Sequence, residues 1–427
     1  MRTGSDVIAK GELGGGKTAA FGLGVLDGIL KLSEDERSDA VFLSAPLALI
    51  LVPTRELASQ TFETLKNLSV NTNLVICVSY GQMSRAKSLN EIQRGCHILI
   101  GTCGRILDFM HSRQLSLKLL RFLVIDEADA ILDDTSSSSH FRQLIAFQSF
   151  LDSSENRQTI LTSATFPKAI ETMSRNIMRP APGWTGPVRV VCGNVLNERI
   201  TLRFIETRTK FSKESRLYEI FDVRQRYSIE KTIVFMAKKS DCNVMAERWA
   251  RDGAVALHGD LPQHVRNECI EGFRRGEYRV IFATNVMARG IDIPDLTRVI
   301  NYDLPRGNPD FAFNTFLHRA GRAGRRSPSI VISFVSGHLV CDRHLATKLF
   351  NFHRQHTGRE VDDENILRIL RDEEARNPTP AHKRPIPEET EDDHRYAHQG
   401  DGPVGQEEEG FVFVGANEED SDDSDMW

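Results

Sequence analysis

Residues 11–18, GELGGGKT, follow the short apolar run VIA at positions 7–9 and decide the fold of the first half of the chain. Their pattern, G-x-x-x-x-G-K-T, is that of a loop whose backbone N–H groups surround phosphates at the start of a helix. Farther along, the acidic string DEAD at 126–129 follows the apolar run FLVI at 122–125. Two carboxylates at the end of a buried strand suit a metal-bound nucleotide. The two stretches together make nucleotide hydrolysis the leading hypothesis.

Short apolar runs rich in β-branched residues alternate with helix-like stretches along most of the chain. This alternation predicts parallel sheets covered by helices on both faces. It pauses at RPAPGWTGP, residues 179–187, which predicts a linker or loop. The predicted strands lie at 48–52, 74–78, 97–100, 122–125 and 159–161 before this pause, and at 201–205, 232–236, 254–257, 280–283, 298–301 and 330–334 after it.

We therefore predict an α/β protein with two domains and a tail. After about residue 370 the apolar periodicity fades, and acidic strings such as EEE at 407–409 replace it. Such a composition cannot bury enough apolar surface to offset the entropy of ordering, so the tail is predicted to be disordered. The predicted segments are a first domain at 1–182, a linker at 183–198, a second domain at 199–365 and an acidic tail at 366–427.

The composition of the 427-residue chain, 40% hydrophobic and 26% charged, is that of a soluble globular protein. No apolar run reaches the roughly 18 residues of a membrane span. The 7 cysteines form no C-x-x-C pair. Reduced thiols without a zinc site are therefore expected, in a protein of the cytoplasm or the nucleus.

Charge is distributed unevenly along the chain. Residues 371–427 carry 5 Lys and Arg against 18 Asp and Glu, a net charge of −13. Because the whole chain carries −5, residues 1–370 carry +8. The positive charge of residues 1–370 fits a polyanion partner. Positive charges scattered over the surface that only maintain solubility explain the net charge of +8 equally well.

Several further motifs stand in order along both predicted domains. The first domain holds PTRELA at 53–58, TCGR at 102–105 and SAT at 163–165, and the second holds QHVR at 263–266, TNVMARGID at 284–292 and HRAGRAGR at 318–325. With the loop and the acidic string, this set resembles the DEAD-box family of RNA helicases over about residues 5–365. The resemblance implies RecA-like domains, ATP and Mg²⁺ as cofactors, and RNA bound without sequence preference. It also implies a monomer that a protein activator can stimulate.

The nucleotide site is predicted to draw on both domains. Asp126 would hold the metal, partly through water, and Glu127 would orient the attacking water. By resemblance, Asp292 would face the ribose, and Arg322 and Arg325 would reach the γ-phosphate across the cleft. Such an arginine can contribute on the order of 10³–10⁵ in rate. The residues predicted to wrap the phosphates and, through the threonine, to contact Mg²⁺ are Gly14, Gly15, Gly16, Lys17 and Thr18.

Two further sets of residues carry roles implied by the resemblance. One set would contact the RNA backbone; the alternative is that these polar side chains only face solvent. The other set would couple hydrolysis to RNA separation, and simple capping of a strand end is a competing role for Ser163 and Thr165. The RNA set is Arg55, Thr102, Arg105, Arg266 and Thr284, and the coupling set is Ser163, Thr165, Asp129 and His318.

The chain departs from the family pattern at a few positions. Leu13 stands where the family usually has Ser or Thr, which predicts weaker phosphate binding. The family pattern places a glutamine that reads adenine upstream of the phosphate loop, in a segment that this sequence does not include. Either the sequence is truncated or this member binds its base less selectively, so the expected ATP preference rests on the resemblance alone. Asn285 and GNPD at 307–310 resemble the subgroup that remodels messenger ribonucleoprotein at the nuclear pore. A translation-initiation or ribosome-assembly helicase is the nearest rival.

The leading hypothesis is an RNA-dependent ATPase that separates short duplexes or strips proteins from RNA. An alternative is a nucleotide-gated RNA clamp or scaffold with little turnover, motivated by Leu13 and the missing segment. Glu127, Arg322 and Arg325 argue against a clamp, which has no need of hydrolytic groups. A further alternative is an incomplete chain that does not fold by itself.

Overall fold

In the computed structural model, two parallel sheets follow one another along the chain. We call residues 4–192 lobe one and residues 196–357 lobe two. The structure describes residues 4–11, 14–132, 140–151, 157–165, 168–179, 187–192, 196–221, 230–285, 293, 295–357 and 368.

Lobe one is built on seven parallel strands. They are β1 (Val7–Gly11), β2 (Ala48–Val52), β3 (Ile76–Ser79), β4 (Ile98–Thr102), β5 (Phe122–Ile125), β6 (Gln158–Ser163) and β7 (Val188–Cys192). Their order across the sheet is β3–β4–β2–β5–β6–β1–β7. Because all pairings are parallel, the carboxyl ends of the strands lie at one edge of the sheet, where the predicted motifs follow.

Helices connect these strands and begin where the sequence supplies caps. The Ser33 side chain and Glu36 form a capping box at the start of the second helix. The Thr54 hydroxyl accepts the backbone N–H of Leu57 at the start of the third. The helices of lobe one are α1 (Lys17–Leu30), α2 (Glu34–Phe42), α3 (Arg55–Leu68), α4 (Arg85–Gln93), α5 (Cys103–His111), α6 (Ala128–Leu132), α7 (His140–Gln148) and α8 (Lys168–Ile177).

Lobe two repeats this design with six parallel strands. They are β8 (Ile200–Glu206), β9 (Thr232–Phe235), β10 (Ala254–Leu257), β11 (Val280–Ala283), β12 (Arg298–Asn301) and β13 (Ser329–Val335), in the order β10–β11–β9–β12–β13–β8. Its helices are α9 (Lys210–Phe221), α10 (Lys239–Arg248), α11 (Gln263–Arg275), α12 (Pro309–Ala320) and α13 (Val340–Thr357).

Each sheet separates two apolar cores, as the period of two along a strand requires. In β2, Leu49 and Leu51 face a core with the helix residue Phe109, whereas Ile50 and Val52 face the opposite core. In lobe two, alternate residues of β9 also enter different cores. Burial on both faces explains why the central strands read as continuous apolar runs in the sequence.

The two parallel sheets with helices on both faces confirm the predicted fold class. One detail differs, because residues 188–192 fall in the predicted linker 183–198 but form β7. This strand pairs with β1 at the edge of the first sheet, which satisfies backbone groups of β1 that a linker would leave unpaired. The predicted tail lies outside the described residues apart from residue 368. None of the described helices is long and apolar enough to span a membrane.

Candidate nucleotide and nucleic-acid site

The loop between β1 and α1 has the backbone that its glycines predict. Gly14 and Gly16 have φ angles of 81° and 78°, which favour glycine because a Cβ is disfavoured there. Helix α1 then begins at Lys17, with Thr18 in its first turn. The first N–H groups of a helix lack intrahelical acceptors and attract anions. Leu13, for which we predict weaker phosphate binding, lies outside the described residues.

Lys17 lies among carboxylates at the carboxyl edge of the first sheet. Its Nζ donates to the carbonyl of Gly11 at 2.9 Å. Burial lowers the pKa of Lys17, while Asp126, Glu127 and Asp129 act in the opposite direction. These electrostatic partners show that the loop and the acidic string, 109 positions apart in sequence, meet in one site.

Asp126 is buried and held by two donors. The Thr162 hydroxyl and the backbone N–H of Glu127, the latter at 3.0 Å, both donate to its Oδ1. Burial, together with the neighbouring Glu127, raises the pKa of Asp126 to about 6. Thr162 was not among the predicted site residues, although its hydroxyl fixes the orientation of the carboxylate.

Glu127 has a backbone conformation that is unusual for its side chain. Its φ angle is 48°, in the left-handed region that glycine and asparagine prefer. Strain of this kind concentrates at functional sites, where the surrounding structure maintains it. Its Oε2 is buried and has no hydrogen-bond partner among the described residues. A buried carboxylate oxygen of this kind is available to a water molecule or a ligand.

Two of the predicted coupling residues, Thr165 and His318, contact a third, Asp129, and the fourth, Ser163, contacts Thr165. Asp129 Oδ2 accepts the backbone N–H and the hydroxyl of Thr165 at 3.1 and 2.9 Å. His318 Nε2, from lobe two, lies 3.3 Å from the same oxygen. The Ser163 hydroxyl donates to the Thr165 carbonyl at 2.6 Å. The structure therefore assembles Asp129, Ser163, Thr165 and His318 into one network that joins the lobes.

Two arginines of lobe two adjoin the phosphate loop of lobe one. A Cβ built on Gly14 would lie 3.4 Å from Cγ and Nε of Arg325, so this side chain covers the loop. Arg322 is 3% exposed and its Nε donates to the His318 carbonyl at 3.2 Å. Arg322 also acts electrostatically on Lys17 by lowering its pKa. The predicted Asp292 lies outside the described residues.

Arg319, between these motif residues, is a buried structural residue that sequence reasoning did not single out. Its guanidinium donates to the Asn285 Oδ1 at 3.0 and 2.6 Å, to the Asn301 Oδ1 at 3.1 Å and to the Asp303 carbonyl at 2.7 Å. It also lies over the Phe235 ring, 4.9 Å from the centroid. Burial lowers the pKa of Arg319 to about 9. The residue thus ties the end of β12 to the motif that follows β11.

Four of the five predicted RNA-contacting residues line one cleft of about 460 Å³, which we call the basic cleft. Arg55, Thr102 and Arg105 come from lobe one and Arg266 from lobe two. Thr284 is not among the lining residues, and its backbone N–H donates to the carbonyl of Leu257 at 3.3 Å. Helices α3 and α5 begin at this cleft, so their N-terminal N–H groups add to its affinity for anions.

An ion pair crosses the basic cleft and joins the lobes. Arg266 Nη2 donates to Oε1 of Glu56, and each side chain is 5% exposed. Gln263 Nε2 donates to the same oxygen at 3.2 Å. Sequence reasoning quoted Glu56 inside PTRELA but gave it no role. Since burial of a charge is costly without a partner, this pair explains why both side chains can lie inside the interface.

Two arginine nitrogens in the basic cleft retain hydrogen-bonding capacity. Arg105 Nη2 donates to the Met83 carbonyl at 3.0 Å. Its Nη1, and Nε of Arg266, are buried without a hydrogen-bond partner among the described residues. Phosphate oxygens are well suited to arginine donors of this kind.

A larger cavity of about 930 Å³ beside α1 contains none of the predicted site residues.

Comparison with known proteins identifies both lobes. A model described as DEAD/DEAH box helicase matches residues 1–173, and one described as helicase conserved C-terminal domain matches residues 212–327. The DEAD-box ATP-dependent RNA helicase rde-12 of Caenorhabditis elegans is 43% identical over 354 residues, which cover 81% of this chain and 37% of that protein. The probable ATP-dependent RNA helicase DDX4 of Homo sapiens is 33% identical over 356 residues, covering 81% of this chain and 46% of that protein. The chain thus matches less than half the length of these curated relatives.

Solved structures agree with this assignment. Dbp5 of S. cerevisiae bound to RNA and ADP BeF3 matches with a TM-score of 0.67 at 28% identity, covering 86% of this chain and 89% of that chain. Mss116p bound to ssRNA and AMP-PNP matches with a TM-score of 0.66 at 20% identity, covering 86% and 73%, which supports the fold alone. The domain models, the relatives and the two RecA-like lobes together show that this chain belongs to the DEAD-box family of RNA helicases.

Proposed function

We propose that this chain is an RNA-dependent ATPase that separates short RNA duplexes or removes proteins from RNA. The observation that carries the proposal is the convergence of Lys17 and Asp126 from lobe one with Arg322 and Arg325 from lobe two. An ATP molecule between these groups would join the lobes, so nucleotide state and lobe arrangement would be linked.

In the nucleotide site, the loop glycines at 14–16 and the start of α1 bind the phosphates, and Lys17 neutralises the terminal ones. Glu127 orients the attacking water through its unpartnered Oε2. Arg322 and Arg325 stabilise the charge that develops on the transferred phosphoryl group. Asp292 belongs to the same proposal as a ribose contact.

The site also fits Mg²⁺, with Thr18 and Asp126 as its protein contacts. Among the described residues no cluster of three His, Cys, Asp or Glu forms a cage made of protein ligands alone. One buried carboxylate beside a phosphate loop is nevertheless the usual protein contribution for Mg²⁺, which keeps water and phosphate oxygens as its other ligands. When bound, the ion neutralises phosphate charge during hydrolysis.

RNA is proposed to lie in the basic cleft, held by its phosphates with little base recognition. Arg55, Thr102, Arg105 and Arg266 line this cleft, and two of them have buried nitrogens without partners. Thr284 is proposed as an additional contact. The Asp129–His318 network joins the lobes beside Lys17, which supports a role in coupling for these residues with Ser163 and Thr165.

ATP hydrolysis by the purified chain, measured with and without a single-stranded RNA, tests the proposal. We expect RNA to stimulate turnover and Glu127→Gln to abolish it while ATP binding persists. Glu34→Gln, the same change at an exposed position of α2, is the matched control and should behave as wild type. ATP-dependent RNA binding without phosphate release would select the clamp alternative. Turnover that RNA does not change would contradict the proposal.

The biological setting is a separate proposal. The subgroup resemblance carried by Asn285 and the stretch at 307–310 supports work on messenger ribonucleoprotein, in the cytoplasm or the nucleus. A Dbp5 variant bound to gle1 and IP6 matches with a TM-score of 0.59 at 29% identity, which supports a protein partner here as well. We propose that this chain is a monomer and that such a partner stimulates its turnover. Stimulation of ATP turnover by a co-purifying protein would test this. The rival setting is translation initiation or ribosome assembly.

A further inference from the structure

Lobe two contains a cavity of about 320 Å³ that shares no lining residue with the basic cleft. It lies at the carboxyl ends of β8, β9, β12 and β13. In the strand order, β10 lies on one side of the neighbouring pair β9 and β12, and β13 lies on the other side. The connection after β9 and the connection after β12 therefore run in opposite directions along the sheet. Crevices at such points of an open parallel sheet are general ligand sites. We call this space the lobe-two cavity.

The charge of the lobe-two cavity is positive. Lys213 Nζ pairs with Asp303 at 2.7 Å, and Lys210 Nζ lies 3.4 Å from Asp241. The exposed side chains of Lys238 and Arg306 make no hydrogen bond or ion pair with any described residue. The charged lining residues are Arg208, Lys210, Lys213, Lys238 and Arg306, with Asp241 and Asp303 as the only acids among them. A surplus of cations therefore remains after the internal pairs are formed.

Three helices begin at this cavity. Lining residues include those directly before α9, α10 and α13, which are 12, 10 and 18 residues long. Lys238, the N-cap of α10, makes no side-chain capping bond. Helix starts carry partial positive charge and N–H groups without intrahelical acceptors. Their convergence adds to the attraction for an anion.

A buried hydroxyl supplies an independent sign of a missing ligand. Thr207 lines the cavity, is 2% exposed, and its Oγ1 has no hydrogen-bond partner among the described residues. A buried polar group without a partner costs stability unless a water or ligand completes it. Thr207 follows β8 directly, so its position is fixed by the sheet.

We propose that the lobe-two cavity binds a phosphate group, held by Lys238, Arg306, the Thr207 hydroxyl and the surrounding helix starts. The phosphate belongs to a free polyphosphate or to the backbone of an RNA that extends beyond the basic cleft. Both sources present the same tetrahedral, negatively charged oxygens, and the site as described recognises those oxygens only.

Calorimetric titration with pyrophosphate tests the site in the full-length chain. All variants carry Lys17→Ala, which reduces pyrophosphate binding at the phosphate loop. The affinity of each variant is compared with that of the Lys17→Ala chain. Adding Lys238→Gln and Arg306→Gln removes two exposed charges and should weaken pyrophosphate binding by about tenfold or more. Thr207→Val should weaken it as well, by a smaller factor. Arg216→Gln, an exposed change on α9 outside the cavity, should have no effect.

RNA binding to the chain with Lys17 intact separates the two sources. If the ligand is RNA, the two Gln substitutions should also reduce the salt dependence of binding by about 0.7 in slope per lost contact. If RNA binding is unchanged while pyrophosphate binding falls, a free polyphosphate is the ligand. Equal pyrophosphate affinity in all variants overturns the proposal. The pyrophosphate arm does not require ATPase activity, so its outcome is independent of the proposed function.

Discussion

The substitution Glu56→Gln tests whether the ion pair across the basic cleft stabilises the joined lobes. Glu56 on α3 and Arg266 on α11 are each 5% exposed, and they meet only because the lobes adjoin. When the lobes separate, water solvates both groups. The net stabilisation from the pair therefore appears in the equilibrium between separate and joined lobes. We expect the substitution to weaken RNA-stimulated ATP hydrolysis through this equilibrium.

The magnitude follows from the burial of the pair. A hydrogen bond to a charged group contributes about 1.5–3 kcal/mol to stability. Glutamine keeps one acceptor oxygen but leaves the Arg266 charge without a counter-charge, so a loss within this range is expected. That loss corresponds to about 10- to 150-fold in the equilibrium constant. The RNA concentration that gives half-maximal stimulation should rise by a similar factor.

The assay is steady-state ATP hydrolysis as a function of RNA concentration at saturating ATP. The matched control is Glu34→Gln in the first turn of α2, which removes the same charge from an exposed position and should leave the curve unchanged. Thermal melting of both variants checks folding. A lower RNA requirement in Glu56→Gln would refute the reasoning, because it would mean that Glu56 competes with RNA for Arg266.

Three further predictions concern Arg319, His97 and Arg325. Arg319→Met leaves the amide acceptors of Asn285 and Asn301 without donors. Since each unsatisfied buried acceptor costs about 1–3 kcal/mol, we expect a loss of about 2–6 kcal/mol in the free energy of unfolding, measured with urea; an unchanged midpoint would contradict it. Burial lowers the pKa of His97 below 6.5, and its Nδ1 accepts the Val75 N–H at 2.9 Å. The stability that neutral His97 contributes is complete above the unfolded pKa and is lost as pH falls through the folded pKa. The urea midpoint of the wild type should therefore be lower at about pH 5 than at about pH 7.5, and the difference should be smaller in His97→Gln. Arg325→Lys should lower ATP turnover by about 10³-fold, while RNA binding in the absence of nucleotide stays as in wild type. Turnover equal to that of the wild type would remove this residue from the catalytic proposal.

Much of the fold was predictable because central parallel strands are buried on both faces. The runs at 48–52 and 122–125 match β2 and β5 residue for residue. Strand β7 was missed, since VRVVC follows a proline-rich stretch and is exposed along its whole length. Its stability comes from pairing with β1, which is distant in sequence. Edge strands of this kind lack the apolar signal that a buried strand provides.

The motifs predicted which residue types lie near the site but not how they contact one another. HRAGRAGR contains three arginines, and nothing in the string distinguishes the buried Arg319 from those adjoining the phosphate loop. The Thr162 contact to Asp126 depends on the neighbouring positions of β5 and β6. The positive φ of Glu127 has no local signal, because glutamate does not favour that conformation. These features depend on tertiary contacts.

Two of the connections between the lobes imply that nucleotide and RNA affinities share one equilibrium. The Asp129–His318 contact lies on the nucleotide side and the Glu56–Arg266 pair lies in the basic cleft. If both ligands favour the joined lobes, each must raise the affinity of the other by the same factor. Glu56 lines the basic cleft and none of the nucleotide contacts proposed here involves it. Its substitution should therefore weaken binding of a non-hydrolysable ATP analogue in the presence of RNA, and weaken it less in the absence of RNA, where fewer molecules have joined lobes. An effect of equal size without RNA would mean that the lobes join independently of RNA.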